Sequence, residues 1–388
     1  MKNKILIMSA YYLPGVKAGG PIQSIKNLVD NLSTKFDFYI ITSDRDLGEK
    51  TPYSNIKIDK WNKCGNANVF YTNPAKLDAK KLINIINSID YDVLYLNSFF
   101  SFKFSILPVL LKRFKKIPSK PVILAPRGEF SKGALNLKKI KKKFFIHVVK
   151  LLSLYNEVIW HATSKTEVND IRRIFTSNVN IRTANNLTAN YKDENYEKKV
   201  EKKINEIKIV FISRIHPKKN LKKAIEFLKK TNGKVTFNIF GPIEDKVYWS
   251  ECLKEIKKLP KNVKVNYKGM LDHEKVIDTF RSHHVFLFPT LGENYGHIIS
   301  EALIGGCPVI ISDQTPWRNL EYYGAGKDIS LRNEKEFITT IQEYIEMDNE
   351  EYRKSSYNAF KFGKKMSIKN NDLNKYLELF MTQNKFVD

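Results

Sequence analysis

Residues 285–313, VFLFPTLGENYGHIISEALIGGCPVIISD, run apolar, turn, helix-like, small and apolar again. Val285 to Phe288 and Val309 to Ile311 are continuous apolar runs, the pattern of strands buried on both faces of a parallel sheet rather than of strands with one wet face. A helix between two such strands is the crossover that parallel pairing needs. Gly296 lets the backbone at the helix start approach a phosphate or sugar closely, and helix-start amides attract anions. This start nevertheless carries acids, Glu293 just before it and Glu301 about a turn and a half inside. Carboxylates accept neighbouring hydroxyls in pairs, so donors and acids together suit a ligand that joins a diphosphate to sugar rings. Two glutamates at this spacing also occur on ordinary surface helices.

The same rhythm extends outward. KIVFISRI, KVTFNIFG, VKVNYKG, VFLFPT and PVIISD alternate with helix-like stretches, and KILIMSA, DFYIITS, DVLYLNS, PVILAP and EVIWHATS do so earlier. Between the two sets lies NYKDENYEKKVEKKINE, Asn190 to Glu206, which reads as a linker or a solvated helix. The 388 residues therefore divide into two α/β, doubly wound, Rossmann-like domains, 1–190 and 206–365. Two such sheets facing each other enclose a cleft lined by strand carboxyl ends, where ligands of these folds bind. Phe360, Leu373, Tyr376, Leu377 and Phe380 predict helices in the tail, the last of them, about 366–388, crossing back to the first domain.

Composition sets further bounds. With 42% hydrophobic residues the chain has ample core material, and 66 Lys plus Arg against 41 Asp plus Glu leave +25, a field that draws polyanions or an anionic membrane. A lysine-rich genome composition would raise the same excess. A nucleic-acid-binding protein is the reading such charge invites, but no nucleic-acid reading motif or clustered aromatic platform accompanies it. Cys64, Cys252 and Cys307 are odd in number and widely spaced, which favours neither disulfides nor a zinc site and fits a reducing compartment. MKNKILIMSAYYLPG reads as a first strand rather than a signal peptide, and no apolar run reaches the roughly 18 residues of a spanning helix. A cytoplasmic location is expected.

Where a dinucleotide fingerprint would stand, the first strand is followed by SAYYLPGVKAGGPIQSIKNL. Gly19 and Gly20 open a helix there, as an anion-approaching start or as a flexible turn. In the second half SRIHPKKNL places Arg214 and Lys219 beyond a strand end, a two-pronged grip and a mobile point charge that suit a diphosphate, or a solvated loop. A nucleotide sugar combines what the cations and the acids each suit.

In order and at matching intervals over roughly 208 to 320, SRIHPKKNL, IFGPIED, VNYKGML, FPTLGENYGHIISEAL and GGCPVIISDQTPW resemble the donor domain of the retaining, GT-B fold glycosyltransferases of family 4, the glycosyl transferases group 1, in a surface-polysaccharide subfamily. YYLPGVKAGGPIQSIKNLVDNL, LAPRGEFSKGALNLKK and HATSKTE resemble the acceptor domain more loosely. The resemblance implies that Arg214 and Lys219 hold the donor diphosphate and that Glu293 meets the transferred sugar. It implies that Glu301 takes the ribose hydroxyls, that Gly296, His297 and Ile298 contact diphosphate or sugar, and that Gly241, Pro242, Met270 and Leu271 border the base. Gly19 and Gly20 would close on the phosphate from the opposite domain. It further implies a metal-independent transfer with no cofactor beyond the nucleotide-diphosphate sugar. Relatives carry a histidine where this chain has PRGEF, so Arg127 or Glu129 stands in its place, with His161 a further acceptor-side candidate; Asn186 of ANNLT occupies a position usually held by glycine.

LNLKKIKKKFFIHVVKLLSLY sets Leu137, Ile140, Phe144, Val148 and Leu151 on one helical stripe with lysines crowding its start, and LLKRFKKIPSK adds charge nearby. Either the stripe packs on the first sheet and the lysines stay wet, or the helix lies on an acidic lipid surface. The expectation is peripheral contact with the anionic inner membrane face through residues near Lys138 to Lys150, a polyprenyl-diphosphate-linked saccharide as acceptor, and no nucleic acid. The expected function is glycosyl transfer in capsule, O-antigen or lipopolysaccharide synthesis, with an epimerase or phosphorylase of the same fold as the alternative.

Overall fold

The computed structural model describes residues 2–136, 139–175, 179–189, 191, 194–370 and 373–381. Leu137 and Lys138 of the basic stripe, and 382–388 of the expected last helix, lie outside the described residues. The chain forms two units, 1–189 with 370–388, and 190–369.

The first unit is built on eight strands: β1 Asn3–Met8, β2 Phe36–Ser43, β3 Trp61–Cys64, β4 Ala67–Thr72, β5 Val93–Asn97, β6 Val122–Ala125, β7 Val158–Ala162 and β8 Ile181–Thr183. They lie in the order β3-β4-β2-β1-β5-β6-β7-β8, all parallel except the β3–β4 hairpin at one edge. Ile5 to Met8 are fully buried, as a central parallel strand covered on both faces requires. On one face helix Gly20–Leu32 lays Ile22, Ile25, Leu28, Val29 and Leu32 down, an i, i+3, i+7 stripe joined by Phe36 and Phe38. Tyr376, Leu379 and Phe380 of helix Leu373–Phe380 complete this layer, so the chain end returns to the first unit. The other face holds an aromatic cluster around Phe99, with Phe130 at 4.8 Å and Tyr155 at 5.0 Å between ring centres.

The second unit has six parallel strands: β9 Glu206–Ile212, β10 Lys234–Phe240, β11 Val263–Tyr267, β12 Val285–Phe288, β13 Val309–Ser312 and β14 Gly326–Ile329. Their order, β11-β10-β9-β12-β13-β14, is that of a dinucleotide-binding fold. Strand order reverses between β9 and β12, and the crevice at the carboxyl ends of that pair is where such sheets take ligands.

The stretch expected as a linker or solvated helix is neither. Residues 194–203 form neither helix nor strand and are bound to the second unit by lysines turned inward. Lys198 Nζ donates to the Phe280 and His283 carbonyls at 2.8 and 2.5 Å, and Lys202 Nζ to those of Ile345 and Met347 at 2.8 and 2.9 Å. Helical charge patterning failed here because a buried carbonyl cluster, invisible in one strand of sequence, accepts the lysine heads. Among the described residues no helix is long and apolar enough to cross a membrane.

Candidate functional site

The loops after β9 and β12 meet at the reversal point. Pro217–Lys219 form a single 3-10 turn whose start is capped by His216, Nδ1 accepting from Lys218 N at 3.1 Å. Asn220 follows at φ 60° and donates its side-chain amide to Pro289 O at 2.9 Å. Leu291 N and Thr290 Oγ1 donate to Lys218 O at 2.9 and 3.1 Å. With both loops sewn together, Lys219 Nζ pairs with Glu293 Oε1, and the two side chains are only 13% and 14% exposed. Thr290 Oγ1 adds a bond to the same oxygen at 3.3 Å. Lys219 also stands 5.7 Å over the Phe288 ring. Residues 74 positions apart thus form one partly desolvated cation–carboxylate pair.

Arg214 is more open and pairs with Glu244 at 2.7 Å. Lys218 lies in the combined field of Arg214, Lys219 and Glu293: desolvation first, then its two cationic neighbours, pulls its amine below the ordinary lysine value against the acid's opposing effect. Arg214, Lys218 and Lys219 make three cations at one strand end, and Lys218, Thr290 and Glu244 were not singled out from sequence. Thr290 closes the quoted VFLFPT run, so its place at a strand end was a usable signal.

Helix His297–Ile304 begins at Gly296, φ 82°. A Cβ there would meet only the tip of the Ile299 side chain, at 2.9 Å from Cδ1, so it is the left-handed dihedral that selects glycine. His297 lies against Tyr295 at 4.7 Å between rings, and Ile298 and Leu271 pack on the common core. Glu301, 5% exposed, is pushed up to about 8 by burial, and His273 Nδ1 lies 3.9 Å from its Oε1. A carboxyl held at that value is poised between donor and double acceptor near neutral pH.

The ends of β10 and β11 are tied in turn. Gly241 N donates to Gly269 O at 2.7 Å, and Tyr267 Oη to Gly241 O at 2.8 Å. A Cβ on Gly241 would fall 1.9 Å from Ser213 O, which excludes any other residue. Ile215 N bonds Pro242 O at 2.9 Å, while Met270 is 49% exposed at the same strand ends. Structure therefore brings Arg214, Lys219 and Glu293 together, with Gly241, Pro242, Met270 and Leu271 on neighbouring strand ends of the same sheet.

In the first unit Gly19, φ 63°, precedes the helix, and a Cβ on Gly19 or Gly20 would meet nothing within 4 Å. Asp46 holds this loop: Oδ2 accepts Val16 N at 2.8 Å and Lys17 N at 3.0 Å. Arg127, φ 55°, donates Nε and Nη2 to Asn97 Oδ1 at 3.0 and 2.8 Å, Nη2 to Tyr95 Oη at 2.8 Å, and Nη1 to Asn186 Oδ1. Tyr95 Oη donates a hydrogen bond to His161 Nδ1 at 2.8 Å, and His161 Nε2 donates to Ala184 O at 2.8 Å. His161 is fully buried, and burial, with Arg127 adding to it, lowers its pKa to about 3. Glu129 accepts from Ser98 Oγ at 2.7 Å and from Phe99 N and Phe100 N at 2.5 and 3.2 Å; burial nevertheless raises its pKa. Arg127, Glu129 and His161 are thus engaged inside the first unit, clamping β5, β6 and the segment at Asn186.

Residues 192–362 match the profile of the glycosyl transferases group 1. No curated protein sequence matches the chain. Among solved structures, sucrose-phosphate synthase from Thermosynechococcus elongatus is similar at 14% identity with a TM-score of 0.71, covering 98% of this chain and 100% of its own. The Anabaena protein HepE, in a complex with UDP and glucose, aligns at 15% identity and a TM-score of 0.67 over 98% of this chain and 100% of its own. WaaG, a glycosyltransferase involved in lipopolysaccharide biosynthesis, aligns at 10% identity and a TM-score of 0.66 over 97% and 99%. At such identities the likeness establishes the fold, two α/β units of the GT-B class spanning nearly the whole chain.

Proposed function

We propose that the chain is a glycosyltransferase that moves a sugar from a nucleotide-diphosphate sugar to a hydroxyl of a saccharide acceptor. The observation that carries this reading is the Lys219–Glu293 pair at the β9/β12 reversal, flanked by Arg214 and Lys218. Breaking the bond from the anomeric carbon to the diphosphate leaves negative charge on the departing oxygen. Lys219 and Arg214 are placed to stabilise it more in the transition state than in the bound donor, which is what accelerates a reaction. Glu293, held by Lys219, meets the transferred sugar, and Glu301 takes the ribose hydroxyls. The acceptor oxygen forms the new bond on the face the diphosphate leaves and its proton passes to the departing phosphate oxygen, giving retention. In this reading the cations and helix-start amides do the work a metal does elsewhere.

The acceptor in this reading is a lipid-diphosphate-linked saccharide of surface-polysaccharide synthesis, met at the inner membrane face. The profile match and the likeness to WaaG support the class of reaction. A melting screen with UDP-, GDP- and ADP-sugars tests the reading: one sugar nucleotide should raise Tm in a concentration-dependent way. No shift with any of them overturns it, and interconversion of donors without an acceptor would point to an epimerase instead.

A further inference from the structure

In helix Lys139–Leu151 only Val149 is buried, with Phe145 and Ile146 leaning on the aromatic core. At about 100° per residue, Ile140, Phe144 and Leu151 fall within an arc of about 40° on the side away from Val149. They are 84%, 70% and 77% exposed. The stripe does not pack on the first sheet; it faces outward. Leu152 and Phe114 extend it, Phe114 being brought alongside by Arg113, whose Nη1 donates to Leu152 O at 2.7 Å. An apolar surface of this kind needs a partner.

On the helix flank, between the buried side and the outward stripe, lies a cavity of about 470 Å³. Lys139, Lys143 and Lys150 wall it together with Arg173, over a floor that includes Ile146 and Ile174. Arg173 is held by Asp170 at 2.9 Å, whereas among the described residues no carboxylate pairs with Lys139, Lys143 or Lys150. Charge is concentrated around it: between Asp92 and Glu157 the chain has fourteen Lys and Arg and a single acid, Glu129, more than half of the +25 excess. Glu129 is spent on Ser98, Phe99 and Phe100, so it does not offset the surface.

We propose that this face docks on an anionic bilayer, with Ile140, Phe144, Leu151, Leu152 and Phe114 entering the interfacial region while the cavity takes the phosphate of a lipid headgroup between Lys139, Lys143 and Lys150. Lysines ringing an outward aliphatic stripe match a surface that is anionic at its rim and apolar beneath. A nucleic acid would satisfy the lysines and leave the aliphatic side chains in water. The inference deepens the membrane placement proposed above and rests on it.

The test uses the full chain with Phe144→Trp and phosphatidylcholine vesicles with or without phosphatidylglycerol. Brominated acyl chains should quench the added tryptophan only when phosphatidylglycerol is present. Lys139→Gln, Lys143→Gln and Lys150→Gln together should lower partitioning at least tenfold, each surface lysine being worth about fivefold. Ile140→Ser with Leu151→Ser should abolish quenching at unchanged charge. Equal binding to neutral vesicles, no quenching, or oligonucleotide binding in place of vesicle binding overturns the proposal. Melting shifts with nucleotide sugars on the same variants separate the two readings: vesicle binding kept with no sugar-nucleotide shift would sink the enzyme and leave the surface standing.

Discussion

Lys219 and Glu293 illustrate what a residue-level reading can and cannot reach. Resemblance named both, but nothing in the chain shows that they touch; that follows from Leu291 and Thr290 bonding Lys218 O. Lys219→Ala and Arg214→Ala should each lower kcat by roughly a hundredfold in a donor-consumption assay, as expected for a lost charge-stabilising donor. Unchanged turnover in either would remove it from the reaction. Glu293→Gln should reduce kcat while leaving nucleotide affinity intact. Glu301 gives a pH signature instead. Raised to about 8 by burial, it is protonated at pH 6 and half ionised near 8, and only the carboxylate accepts two hydroxyls at once. Nucleotide affinity measured by calorimetry should therefore rise from pH 6 to pH 8, and Glu301→Gln should flatten the rise; a slope unaltered by the substitution would mean another group titrates.

At the scale of elements, the strap 194–203 is a structural member of the second unit rather than a tether. Lys198→Met would strand the Phe280 and His283 carbonyls, which Lys198 now satisfies, and should cost about 2–4 kcal/mol in urea unfolding. Lys199→Met, which removes a half-exposed pair with Asp278 at 3.2 Å, should cost under about 1 kcal/mol. Equal effects would show that the inward lysine does not hold the strap. Strands with continuous apolar runs, such as β9, β12 and β13, were legible in the sequence because both faces are buried. β4 was missed since Val69 to Tyr71 is its only apolar run, and β14, GKDI, since an edge strand is fixed by pairing with β13 and needs little apolar content. The basic helix showed its stripe but not its direction: which face of an amphipathic helix meets the protein depends on Phe145 finding Phe99 across 46 positions, with Ile146 packing on the same core.

Across the whole molecule, buried titrating groups oppose one another. His161 and His284 are lowered to about 3 and His283 to about 4, each mainly by burial, from an ordinary value of 6.5. Below 6.5 the unfolded chain takes up protons that the folded one refuses, so these three withdraw stability as pH falls from 6.5 toward 4. Glu301 acts with the other sign: its raised value means the folded form keeps a proton the unfolded chain has lost, a contribution present below 4.5 and gone as pH rises through about 8. Two of the histidines share the second unit with Glu301, and His161 stands alone in the first. Between pH 4.5 and 6.5 the histidines outnumber the acid in the second unit, so its melting transition should fall on acidification, and above 6.5 the acid should make it fall again until, near pH 8, Lys198 and Lys202, which burial lowers to about 8, begin to oppose it. Calorimetry across this range should show the second unit most stable near pH 6.5, and Glu301→Gln should remove the alkaline decline while leaving the acid limb in place. A transition that climbs steadily to pH 8 in the parent chain would mean that Glu301 is ionised in the fold, and the double-acceptor role at the ribose would then be preformed rather than induced by the nucleotide.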